Sequence, residues 1–144
     1  MWLASGLLLQ VACLSLADLT PALSQGRVII LRHALPLAPG GGDPANFDLH
    51  DCRTQRLLGG GGREQAERLG ADLRHLNVSR VLSSPWCRCL ETAKLMDVGV
   101  VESVMFLGSF YDSPPKGVPR EEAMAALRHY LAKRSTNARH NSCL

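Results

Sequence analysis

The chain has 144 residues, enough for one domain with its own core and too few for two. Its formal net charge is +3, and the arginines are spread along the chain instead of gathered into a run. That excludes a dedicated nucleic-acid surface and suits a small anionic ligand.

From Trp2 to Ala17 the chain carries no charge and is dominated by Leu, Ala and Val, with Ser15 and Ala17 placed as a cleavage site before Asp18. Residues 1–24 are therefore expected to be a secretory signal peptide, with Ala22-Leu23-Ser24 as a second site. An uncleaved N-terminal anchor and a buried helix are the alternatives, since no Lys or Arg precedes the run and it falls short of the ~20 residues that span a bilayer. Export implies a periplasmic or secreted protein, in which Cys52, Cys87, Cys89 and Cys143 are able to pair. Cys52 with Cys87 or Cys89 is the first pair to expect. The competing use is a metal site of His50, Cys52, Cys87 and Cys89, but that spacing is not the C-x2-C of zinc sites, and no metal is expected.

The next segment, Arg27 to Ala34, reads RVIILRHA. Val28 to Leu31 is a short apolar run bounded by turn signals, which predicts a buried strand of a parallel sheet. The loop Leu35–Asp51 has three prolines and Gly40-Gly41-Gly42, and the four glycines Gly59–Gly62 predict a flexible connection. Ala66, Leu69, Leu73 and Leu76 recur at helical spacing and predict a helix over 63–76. Arg80–Ser83 predicts a second strand, and Ser84-Pro85 a helix start, with Ser as N-cap and Pro at the first helical position. That helix is expected to run through Met96 with Trp86, Leu90, Ala93 and Met96 inward. Val100–Phe106 predicts a third strand, and Arg120–Lys133 a last helix burying Met124, Leu127 and Leu131. The order predicts an α/β fold with three αβα layers around a mainly parallel sheet, one domain over 26–134 and a polar tail over 135–144.

Chemistry is expected just beyond the carboxyl ends of the strands, where open α/β sheets hold their ligands. Arg32 and His33 stand there, a guanidinium suited to phosphate and an imidazole able to act as nucleophile or base. The helix after Ser84 presents its N–H groups and dipole to the same end of the sheet, and Arg88 lies one turn into it.

A strand ending in Arg-His, a GRxQA helix (Gly62–Ala66) and a strand leading into SSPWCRCLETA (Ser83–Ala93) together resemble the histidine phosphatase superfamily, with its phosphoglycerate-mutase-like fold. The segments GDPANF (Gly42–Phe47) and DCRTQR (Asp51–Arg56) are similar to its small exported bacterial members. The resemblance runs from Val28 to Met96. It implies a phosphomonoesterase working through a phosphohistidine on a small or surface phosphorylated substrate. His33 would be the nucleophile, Arg32 and Arg88 the phosphate clamp, and Arg56 and Ser84 further substrate contacts. No metal or other cofactor is implied, because arginines and a helix terminus supply the positive field. Membrane contact is implied only through an uncleaved N-terminal segment, and no oligomeric state follows. A proton donor would come from Asp43, Asp48, Glu102 or Asp112. The family's second histidine closes the pocket at the end of another apolar strand. Neither His129 nor His140 has such a strand before it, so the chain reads as a family member without it. A phosphate-binding protein that turns over poorly, or a fragment, is the alternative function.

Overall fold

The computed structural model of the protein describes residues 28–38, 40–109 and 118–140, the stretch 134–140 by its helical backbone. The segment 1–24, Asp112 and Cys143 lie outside these residues. Helix α1 spans Gly60–Leu73, strand β1 Val81–Ser83, helix α2 Cys87–Met96, strand β2 Val101–Ser103 and helix α3 Arg120–His140. One-turn 3-10 segments, Cys52–Thr54 and Met105–Leu107, punctuate the connections. The α/β class expected from the sequence is the one observed.

The sheet is small: β1 and β2 pair in parallel, Val81 opposite Val101 and Ser83 opposite Ser103. The segment Val28–Leu31 is not a strand, which corrects the expectation. β-branched residues favour a pleated surface only where a neighbour supplies the ladder and the cover. These four side chains lack such cover among the described residues and are exposed, Ile30 at 78%. Pairing begins five residues later, where Pro36 bridges Leu58 in antiparallel fashion, held by Leu37 N–H to Leu57 O at 3.0 Å and Gly59 N–H to Leu35 O at 3.2 Å. β2 is likewise shorter than expected, the chain turning into the 3-10 segment after Val104.

The glycine run is not a free connection but the first turn of α1. Two of the helix glycines explain how tightly it packs. A Cβ on Gly62 would lie 2.0 Å from the Leu35 carbonyl oxygen, and one on Gly70 would lie 1.9 Å from that of Met96. Only a residue without a side chain allows these backbones so close. The expected inner face is otherwise correct: Ala66 and Leu73 join Ala34, Leu58 and Met96 in the buried core, with Leu69, Leu76, Leu95 and Val98 against it. Arg63 reaches Glu91 at 2.6 Å, tying α1 to α2 on the solvent side.

α2 starts at Cys87, two residues beyond the position predicted from Pro85, with Trp86 in extended conformation as its N-cap. Trp86 is almost wholly buried and its ring lies 5.9 Å from that of Phe47, a second apolar nucleus around which the long loop wraps. The same loop is joined to α2 covalently by a disulfide between Cys52 and Cys87, with Cα atoms 5.6 Å apart. The open choice of partner is thus resolved, and Cys89 is free. Helix α3 extends to His140, beyond the expected end at Lys133. Its buried anchor is Ala123, while Met124, Leu127 and Leu131 are only half-buried. Tyr130 packs 5.8 Å from Phe106, and Arg80, paired with Glu102, sits over the same ring.

Candidate active site

The segment from Arg32 to Pro36 crosses the junction of α1 and α2, and it is held there by polar contacts that the core alone would not provide. The Ala34 N–H donates to Thr92 Oγ1 of α2 at 3.0 Å, and that hydroxyl in turn donates to the Arg88 carbonyl at 2.7 Å. The Leu35 N–H donates to Gln65 Oε1 of α1 at 3.0 Å. A cleft of about 640 Å³ opens along this segment, lined among others by Arg32, His33, Arg56, Gln65, Leu69 and Thr92. Arg32 and His33 therefore share one pocket, although neighbours on a regular strand would face opposite ways. The loss of strand geometry at this point is what allows it.

The His33 ring lies with Nδ1 2.7 Å from the carbonyl oxygen of Ala34. A carbonyl can only accept, so Nδ1 carries the proton and Nε2 keeps its lone pair. Burial holds the imidazole below its ordinary value; the nearby charges of Arg88, Arg32 and Arg56 press in the same direction, against the Ala34 hydrogen bond. A neutral ring with an available Nε2 is what a nucleophilic histidine requires.

The two other arginines are gripped from behind. Both oxygens of Asp43 lie 2.8 Å from a single nitrogen of Arg88, Nη1, in an ion pair whose side chains are 3% and 8% exposed. The Nε of Arg88 is buried without a partner among the described residues. Arg56 donates through Nη2 to Ala38 O at 2.7 Å and through Nη1 to Gly41 O, and its own buried Nε is similarly unmatched. Arg56 lines the cleft, whereas Arg88 is buried and is not among the residues lining it; both keep a buried donor unmatched, where an unsatisfied donor is costly.

The terminus of α2 is less open than its position suggested. The Cys87 N–H donates to Gln55 Oε1 at 3.0 Å, and the Trp86 N–H approaches Ser84 Oγ at 3.4 Å. With these amides occupied, positive charge at the site comes from side chains more than from the helix end. Ser84 is buried and is not among the residues lining the cleft. Cys89 packs nearby, and burial pushes its thiol up, away from thiolate chemistry.

None of the four candidate proton donors lines the cleft among the described residues. Asp48 binds the His50 amide at 2.9 Å, Glu102 is paired with Arg80, and Asp112 lies outside the described residues. Asp43 already accepts from Arg88, from Trp86 Nε1 at 3.0 Å and from the Arg56 amide at 2.8 Å. His129 is exposed on α3. Among the described residues no cluster of three or more metal-capable side chains occurs, and Cys52 and Cys87 are bonded to each other. Sequence reasoning passed over three residues that build the site. Gln65 and Thr92 stood in plain view inside the GRxQA and LETA motifs, and Gln55 inside TQR, as side chains that motif reading treated as spacing.

A family model described as histidine phosphatase superfamily (branch 1) matches residues 28–104, a span that contains every residue of this cleft. No curated protein and no solved structure matches the chain.

Proposed function

From the premise that the chain belongs to the histidine phosphatase superfamily (branch 1), we propose that it is a phosphomonoesterase acting through a phosphohistidine on a small or surface phosphorylated substrate. Membership by itself supports phosphatase-type function in general, and the α/β fold, phosphoglycerate-mutase-like in kind, agrees with it. The observation that carries the finer claim is the state of His33: Nδ1 is engaged by Ala34 O, and burial with the charges of three arginines favours the neutral ring.

The reaction consists of two displacements. Nε2 of His33 attacks phosphorus in line, the bond to the leaving oxygen breaks, and that oxygen takes a proton. Water then attacks the phosphohistidine, releasing phosphate and restoring the ring. Arg32, Arg56 and Arg88 hold the equatorial oxygens, where charge gathers in the transition state. Removal of one such donor costs about 10²–10³ in rate in comparable sites. Export to the periplasm or the medium is part of the proposal, supported by the apolar segment 1–24 and by the Cys52–Cys87 bond, a type of link that persists in oxidising compartments.

A second reading is favoured by the Asp43–Arg88 pair, which partly neutralises the clamp: phosphate binds but turns over slowly. One experiment separates the two. With a 32P-labelled aryl phosphate, the enzyme reading expects acid-labile label that turns over and is absent from His33→Ala. Saturable phosphate binding without label supports the second reading, and label persisting in His33→Ala removes the proposed nucleophile.

A further inference from the structure

Asp43 comes from a loop with no periodicity, in a chain position that is polar and flanked by glycine and proline. A residue of this kind is ordinarily solvated. Here its side chain is 3% exposed and accepts hydrogen bonds from three residues in two parts of the fold. Arg88 belongs to α2, Trp86 caps that helix, and the Arg56 amide belongs to the segment leading into α1. The grip on Arg88 is also particular. Both carboxylate oxygens converge on Nη1, whereas the side-on pairing common for Arg and carboxylate uses two nitrogens. Nε is thereby left buried with no partner among the described residues, and the charge of the guanidinium acts on His33.

Resting on the reading of this cleft as a phosphate site, we propose that Asp43 is a positioning residue. It fixes the Arg88 guanidinium through Nη1, so that its charge stays beside the cleft, and it holds the Arg56 backbone through the amide. It does not supply the proton to the leaving group, since each of its oxygens already accepts hydrogen bonds from donors that have no other acceptor among the described residues. Trp86 belongs to the same device, because its indole N–H donates to Oδ2 of the same carboxylate.

The two roles differ in their dependence on the leaving group. A proton donor matters for an alkyl phosphate and hardly at all for an aryl phosphate whose phenol is a good leaving group. A residue that positions Arg88 acts on phosphoryl transfer itself and affects both substrates alike. The test uses Asp43→Asn and Trp86→Phe in the full chain, with an alkyl phosphate, a nitrophenyl phosphate and inorganic phosphate as probes. For Asp43→Asn, kcat/KM is expected to fall about tenfold to a hundredfold on both esters by the same factor, and the inhibition constant of inorganic phosphate to rise about tenfold. Trp86→Phe keeps an aromatic ring beside Phe47 and is expected to move the same quantities in the same direction by a few-fold.

Partial unfolding would lower kcat in proportion to the active fraction and leave the phosphate inhibition constant where it was. An unchanged constant therefore overturns the proposal, as does a loss confined to the alkyl ester, which would make Asp43 the acid. If the wild-type chain binds phosphate without turnover, the phosphatase reading fails while the Asp43 proposal is still decided by calorimetric phosphate affinity of the same variants. A wild-type chain that binds no phosphate overturns both.

Discussion

Replacing Gly70 by Ala puts one methyl group where the two helices that carry the site meet. By helix propensity alone the change should stabilise, since Ala is favoured over Gly by about 1 kcal/mol in a helix interior. Geometry opposes it. The new Cβ would stand 1.9 Å from the Met96 carbonyl oxygen, 2.5 Å from its carbon and 2.6 Å from its Cα. All three are backbone atoms, so no rotamer change relieves the overlap, and the end of α2 must move by about 1.5 Å before ordinary contact is restored. Such overpacking costs about 1–3 kcal/mol. The same movement opens the seam over Leu73 and Met96, now 2% and 6% exposed. If half of each side chain is uncovered, about 2 kcal/mol more is lost, taking about 1.5–3 kcal/mol for full burial of each. Set against the propensity gain, the net expectation is a destabilisation of about 2–4 kcal/mol. Urea unfolding followed by far-UV circular dichroism would show it as a lower midpoint at unchanged slope. Gly61→Ala is the control, because nothing lies within 4 Å of a Cβ there. It should be neutral or up to about 1 kcal/mol more stable. The reasoning is refuted if Gly70→Ala is as stable as Gly61→Ala, for then α1 and α2 do not approach as described.

Thr92→Val removes the hydroxyl that receives the buried Ala34 N–H while keeping the shape of the side chain. A stability loss of about 1–3 kcal/mol is expected from the orphaned amide, together with a fall in kcat/KM as His33 loses its anchor; equal kcat/KM in variant and wild type would separate this bond from the site. The pH dependence follows from the lowered His33 pKa. The unfolded chain takes up a proton near 6.5 and the folded site resists it, so this group adds no penalty above that pH and destabilises the fold as pH falls through it. Activity needs the neutral ring, so the acid limb of the pH profile of kcat/KM should have its midpoint below 6.5, and a midpoint above it would contradict the burial described.

Much of the site was legible because its residues sit in contiguous pieces: RHA, GRxQA and the SSPWCRCLETA run each bring their own local geometry. The apolar face of α1 followed from spacing, since Ala66, Leu69 and Leu73 recur at the helical period regardless of what they pack against. What sequence reasoning got wrong depended on a distant partner. Val28–Leu31 has the composition of a strand, but a strand is a relation between two segments, and the second is not found beside it among the described residues. The glycines at 59–62 suggest flexibility by composition, whereas the demand at Gly62 is close approach to Leu35, a segment that precedes it by a whole loop. In the sequence Asp43 is one of four acids able to serve as proton donor. Nothing in GDPANF says that its carboxylate ends in a buried junction with Arg88, which only the folded chain brings near.

That junction joins residues 45 apart along the chain, and the disulfide changes what this separation means. Asp43 is nine residues from Cys52, and Cys87 adjoins Arg88. Once the sulfurs are joined, the path from carboxylate to guanidinium shortens to about ten residues, which lowers the entropic cost of closing it by about 1.3 kcal/mol, from (3/2)RT ln(45/10). In the oxidised chain the junction becomes a near-local event, and in the reduced chain a distant one. The order in which the molecule is oxidised and collapses thus sets how readily its arginine finds its carboxylate.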